Sequence, residues 1–193
     1  MSDTNTSNKV LVQNARISFP HLVEPSVGDN GNKTYDCALL VEPDNAALAK
    51  IDAVVLRVLK ENDPKHAETI LENVKANGKY PWKNGKRKAN YAGYAGHMYI
   101  NARNKTRPVM YDGQRNVISD KEEIAAKFYS GAVVNAVVEI FYFNNKFGKG
   151  LGVGLSGLQF VRDGEHFAGG APAAAEEFPI IEQEEADVQN PWD

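Results

Sequence analysis

The sequence predicts a mainly β fold, a small barrel carrying a helical insertion. Three observations predict it. Five or six segments show strand alternation, two helix-period segments lie together after the second strand, and no βαβ rhythm runs along the chain. The chain has 193 residues, 42% of them hydrophobic and 24% charged, which suits one domain able to bury a core. No apolar run approaches the ~18 residues of a membrane span. Residues 1–8 lack the basic start and apolar stretch of a secretory signal, and the single cysteine, Cys37, forms no internal disulfide. A reducing, cytoplasmic setting is expected.

The elements follow in order. Residues 1–8 are polar and expected to be disordered. Val10–Phe19 alternates, with Leu11, Ala15, Ile17 and Phe19 on one face and Asn14, Arg16 and Ser18 on the other. Asp29, Asn30 and Gly31 mark a loop, and Tyr35–Val41 is a second strand. The helical insertion, about residues 44–76, opens after Pro43 with Ala47, Leu48, Ile51, Val54, Val55, Val58 and Leu59 at helical spacing. Its second helix is expected to start with Asp63 as N-cap and Pro64 in the first turn, and to end near Val74.

The next strand, His97–Arg103, puts Met98, Ile100 and Ala102 on one face and Tyr99, Asn101 and Arg103 on the other. Val109–Tyr111 is extended and Asp112-Gly113 turns the chain. Ser119 with Glu122 then predicts a capping box for a short helix to about Tyr129. The apolar run Val133–Phe143 is a buried strand, linked by Asn144–Gly150 to a last strand ending near Val161. Gly157 is expected at a bulge, because the alternation of Leu151, Val153 and Leu155 resumes out of phase at Leu158 and Phe160. The domain is expected over residues 9–168, with residues 169–193 a disordered acidic tail.

Charge is segregated. Residues 171–193 carry seven acids and no base, so residues 1–170 hold 22 bases against 18 acids, a net charge of +4. Within them, residues 75–107 contain nine bases and no acid, interleaved with Tyr80, Trp82, Tyr91, Tyr94 and Tyr99. Cations that track phosphates beside aromatic faces that stack on bases are the ingredients of single-strand nucleic-acid binding. The competing reading packs Trp82, Tyr91 and Tyr94 into the core and leaves the lysines as solubilising charges. Trp82, beside Pro81, suits a loop anchor best.

Other signals point away from chemistry. Residues 152–157 match the dinucleotide pattern G-x-G-x-x-G, yet the glycines lie inside a strand with no helix to follow. Gly150, Gly152 and Gly154 on one strand face predict close backbone approach or barrel curvature instead. His21, His66, His97 and His166 have no ligand spacing, and no nucleophile, metal or cofactor constellation is legible. No enzyme, no cofactor and no metal are expected. The acidic tail ends in Pro191, Trp192 and Asp193, an aromatic and a proline that suit partner docking better than solubility.

The strings Ala15–Pro20, Tyr94–Ala102 and Arg107-Pro108-Val109, with Phe160–Gly164, resemble a family of bacteriophage single-stranded-DNA-binding proteins over residues 9–165. The resemblance implies an OB-fold barrel that coats single-stranded DNA during phage replication and recombination, in the cytoplasm of an infected bacterium. It also implies an acidic tail for replication or recombination partners. Bacterial single-strand-binding tails are similar in design, and this chain departs from them by adding Asp193. The resulting candidate DNA-binding set is Tyr80, Trp82, Lys83, Lys86, Arg87, Lys88, Tyr91, Tyr94, Tyr99, Asn101, Arg103, Lys105 and Arg107, with Pro191 and Trp192 for partners. The resemblance carries Tyr94, Tyr99, Asn101 and Arg107 most directly. The alternatives are an RNA-binding or strand-annealing recombination protein, and a phage nuclease.

Overall fold

The structure, a computed structural model, describes residues 7–167. The expected disordered N-terminus, apart from Ser7 and Asn8, and the expected acidic tail lie outside the described residues.

Lys9–Val27 forms β1 and Lys33–Val41 forms β2. The insertion follows as α1 (Ala46–Asn62) and α2 (Ala67–Ala76). A short β3 (Trp82–Asn84) and a 3-10 turn at Gly85–Lys88 lead to β4 (Met98–Asn104). β5 (Val109–Tyr111) and β6 (Val117–Ile118) precede α3 (Lys121–Lys127). β7 (Val133–Asn145) and β8 (Gly148–Arg162) then form a long hairpin.

Five strands close a barrel. β1 pairs antiparallel with β2 and β7, β2 with β4, and β7 with β8. A parallel contact at Arg103↔Gly154 joins β4 to β8 and completes the ring. This is the OB-like arrangement that the sequence predicts. Inward residues Val12, Ile17, Leu39, Ile100, Val138 and Leu155 fill it completely buried, and α1 adds Leu48, Ile51, Val55, Val58 and Leu59 to the same core.

Several local expectations are corrected. In β1, Leu11 and Phe19 are exposed, whereas Val10 and Val12 are buried with Ala15 and Ile17. Asn14 and Phe19 take positive φ (53° and 49°), and register shifts at Val12/Ala15 and Ser18/His21 reset the alternation. Asp63 caps the C-terminus of α1 rather than the N-terminus of α2, which begins after His66. The N-cap of α3 is Asp120, whose carboxylate accepts from the Glu123 amide at 2.9 Å, not Ser119. Asn144 and Asn145 pair with Lys149 and Gly148, so the predicted loop shrinks to Lys146-Phe147. The bulge is where alternation places it: Val137 faces Gly157 and Val138 faces Leu155, leaving Ser156 as the extra residue.

Candidate nucleic-acid interface

Residues paired across strands share a face, so register alone lays out the outer surface of the barrel. Ile100 and Ala102 are buried inside, which turns Tyr99, Asn101 and Arg103 outward. One cross-strand row runs Arg16–Leu40–Tyr99–Lys83, a second Ser18–Ala38–Asn101, and a third His21–Asp36–Arg103. The loop between β3 and β4 folds back onto the first row. Gly85 permits this, since a Cβ there would come within 2.0 Å of the Tyr94 carbonyl oxygen.

The result is a small second core outside the barrel. Tyr94 is wholly buried against Tyr99, ring centroids 5.3 Å apart, with Leu40 and Ala38 beneath. Tyr99 is only 6% exposed. Tyr91, 46% exposed, meets the edge of Phe19 at 5.2 Å and lies 6.0 Å from Tyr94. The positive φ of Phe19 turns this ring outward to join them, a strained state for a bulky residue of the sort that collects at functional sites. Phe167 closes the other side. Its amide donates to the Ser130 carbonyl at 3.0 Å, and the Arg16 guanidinium lies 4.1 Å from its ring centroid.

Cations surround this cluster. Lys88 Nζ sits 5.0 Å from the Tyr99 ring and 5.6 Å from the Tyr94 ring, and Lys83 Nζ sits 5.7 Å from Tyr99. Such contacts hold about 0.5–2 kcal/mol each. Burial, then the neighbouring Lys88 charge, pushes the Lys83 ammonium below its ordinary pKa. Burial raises both the Tyr94 and Tyr99 phenols, and among the described residues Tyr94 Oη finds no hydrogen-bond partner. Among the described residues, no acid lies within ion-pair distance of Lys83, Lys86, Arg87, Lys88, Arg103 or Lys105. Asp36, beside Arg103 in register, is already taken by His21 Nδ1 at 2.8 Å and by the Ser26 and Thr34 hydroxyls. Among the described residues these charges have no counter-ion.

Not every candidate joins the surface. Tyr80 and Trp82 leave it: Tyr80 Oη and Trp82 Nε1 both donate to Asp52 of α1, at 2.6 and 2.8 Å. Trp82 pairs with the inward Ile100, so it faces the barrel core while Lys83 faces out. Arg107 is also committed. Its Nε donates to the Leu22 carbonyl at 3.0 Å and its other end to Val23, which fastens the far part of β1. Tyr94 and Tyr99 are packed rings with little free face. Lys86, Arg87, Tyr91, Asn101, Arg103 and Lys105 stay exposed. Arg16, Phe19 and Phe167 belong to the cluster but were not singled out by the sequence; the proline after Phe19 was the available sign of a broken strand. Pro191 and Trp192 lie outside the described residues. Among the described residues no trio of His, Cys, Asp or Glu is placed to hold a metal ion, and no helix is long and apolar enough to cross a membrane.

Comparison with known proteins narrows the assignment. The family described as Enterobacter phage Enc34, ssDNA-binding protein, matches residues 8–189. The chain belongs to this family. The p50 protein of Acyrthosiphon pisum secondary endosymbiont phage 1 is 34% identical over 181 residues, 92% of this chain and 96% of that protein. The single-stranded DNA-binding protein of bacteriophage Enc34, solved in complex with ssDNA, superposes with a TM-score of 0.71 at 27% identity. It covers 83% of this chain and 90% of that one. The single-stranded DNA-binding protein of bacteriophage T7 shares the fold at 13% identity, with a TM-score of 0.54 over 86% of this chain and 98% of its own.

Proposed function

We propose that this chain binds single-stranded DNA largely independently of sequence and coats it during phage replication and recombination. The observation that carries the reading is the outer face of β1, β2 and β4, where cations with no counter-ion among the described residues ring an aromatic cluster. Exposed Lys86, Arg87, Arg103 and Lys105, with half-buried Lys83 and Lys88, neutralise phosphates. Tyr91 and Phe19 offer the free aromatic faces, while Tyr94 and Tyr99 form the platform that holds them in place. Asn101 hydrogen-bonds to bases or sugars as they pass. Family membership and the Enc34 protein's complex with ssDNA support the same reading.

The acidic tail serves two ends in this reading. It recruits replication or recombination proteins through Pro191 and Trp192, and it competes with DNA when no strand is bound. The anchoring of Phe167, the last described residue, under Arg16 supports the second role, because the acidic segment that follows it in the sequence is tethered from beside the cationic face. A tether that short keeps the seven acids at high effective concentration there. The chain is non-catalytic and acts in the host cytoplasm.

The test is a titration of the full chain with single-stranded DNA, duplex DNA and RNA oligonucleotides, run beside a magnesium-dependent cleavage assay. Single-stranded DNA bound tightest and left intact is the expected result. Preference for RNA, or cleavage, moves the chain to one of the alternative classes.

A further inference from the structure

Two of the three alternating glycines of β8 lie under aromatic rings. Gly150 pairs with Phe143 and Gly152 with Phe141 across the hairpin. A Cβ at Gly150 would come within 2.6 Å of the Phe143 ring, and one at Gly152 within 2.1 Å of the Phe141 ring. Each phenyl therefore rests directly on the strand backbone, a position that only glycine beneath it allows. Yet both rings remain outside the core: Phe141 is 47% exposed and Phe143 37%. Burying their outer faces in the fold itself was not the use made of them.

The register shows where this pair sits. Glu139, Gly154 and Arg103 form one cross-strand row, so the face bearing Phe141 and Phe143 continues over Gly154 onto the Asn101–Arg103 face of β4. Phe147, 87% exposed at the hairpin tip with Lys146 Nζ 5.0 Å from its ring, ends the run. Alternate residues on a strand stand roughly 6.6 Å apart, a stride that suits successive splayed bases of an extended strand. The glycine floor keeps the track low beside Arg103.

We propose that Phe141 and Phe143 form a second base-stacking platform for single-stranded DNA, extending the β4 face along the β7–β8 hairpin. This rests on the single-strand reading above. Glu139 is the acid on the track, and the strand passes it on the Arg103 side, where the guanidinium meets the phosphate.

The experiment compares the full wild-type chain with Phe141→Leu/Phe143→Leu, which keeps apolar cover over the glycines but removes the flat faces. Each is titrated with oligo-dT of about 6 and about 20 nucleotides, short and long against the site size of one such barrel. The platform predicts an unchanged affinity for the short strand, which also reports intact folding. It predicts a long-strand affinity lower by about fivefold or more, the low end for a lost stack. Gly152→Ala, which keeps both phenylalanines but lifts one ring, weakens the long strand too. Photocrosslinking of 5-iodouracil oligonucleotides to the wild type falls on Phe141 or Phe143. Equal long-strand affinity in the double variant, with crosslinks elsewhere, overturns the platform. So does a double variant that loses a DNA-free oligomer seen in the wild type while keeping its affinity, because the face then joins copies of the chain. A wild type that binds neither oligonucleotide overturns the single-strand reading itself, and the platform with it.

Discussion

Lys83 and Trp82 show how adjacent residues in one short strand part company. Lys83 faces outward with its ammonium half buried beside Lys88, which lowers its pKa. At mildly alkaline pH it holds more neutral amine than an ordinary lysine, so acylation mapped by mass spectrometry should label it faster than the exposed Lys86. Bound oligo-dT should protect it, since a phosphate restores the charged form. Equal labelling with and without DNA contradicts its place at the phosphates. Asp52, by contrast, accepts from both Tyr80 and Trp82. Asp52→Ala strands two donors and should cost about 2–5 kcal/mol in urea unfolding, with DNA affinity unchanged. Loss of affinity at full stability would return Tyr80 and Trp82 to the binding surface. The sequence showed that cations and aromatics interleave but not which aromatics face which way. β3 has three residues, too few to display an alternation, and Asp52 lies some thirty positions away, on a helix. The β4 faces were legible because seven residues alternate cleanly, with β-sheet neighbours on both sides.

At the scale of elements, the helical insertion is tied to the β7–β8 hairpin through one carboxylate. Asp63, at the end of α1, accepts from Lys149, from His66 at 2.7 Å and from Tyr142 at 3.2 Å. The Lys149 bond, then the His66 bond, holds its pKa below the ordinary carboxylate range. A depressed folded-state pKa gives stability that is fully present above the unfolded value of ~3.9 and lost as pH falls through the folded value. Urea unfolding between pH 5 and the acid limit should therefore weaken for the wild type, and Asp63→Asn should flatten that part of the dependence. A variant with an unchanged acid profile would show that the tie bears no load. The sequence assigned Asp63 to an N-cap because Pro64 follows it, a local rule that a partner from a distant hairpin overrides. Strand bulges were partly legible for a related reason. The one beside Gly157 shifts an apolar alternation and so leaves a trace, whereas those at Asn14 and Phe19 depend on positive backbone angles that the alternation does not record, with Pro20 the one sign beside the second.

For the whole molecule, the barrel supplies a rigid face and the net charge is split between that body and the tail. Removing residues 171–193 should tighten binding to single-stranded DNA, most clearly at low salt, where screening is weakest. Trp192→Ala should instead abolish partner recruitment and leave DNA affinity unchanged, because it alters no charge. A truncated chain that binds no more tightly leaves the tail a docking peptide only. The overall fold was legible because the order of strands and helices is written in periodicity, and the barrel follows from it. The placement of the aromatic cluster outside the barrel was not, since it depends on a loop folding back through Gly85 and on Phe167 returning from beyond β8. Contact between phosphates and the cations of the β4 face, which have no counter-ion among the described residues, underlies DNA binding. It is tested by measuring single-stranded DNA affinity across a salt series for the full chain and for Lys83→Gln/Lys88→Gln/Arg103→Gln. At about −0.7 per phosphate, the wild type should give a log–log slope on the order of −3 to −5, and the triple variant a slope shallower by about 2. A variant that binds more weakly but with the wild-type slope, or a wild type indifferent to salt, would contradict the account.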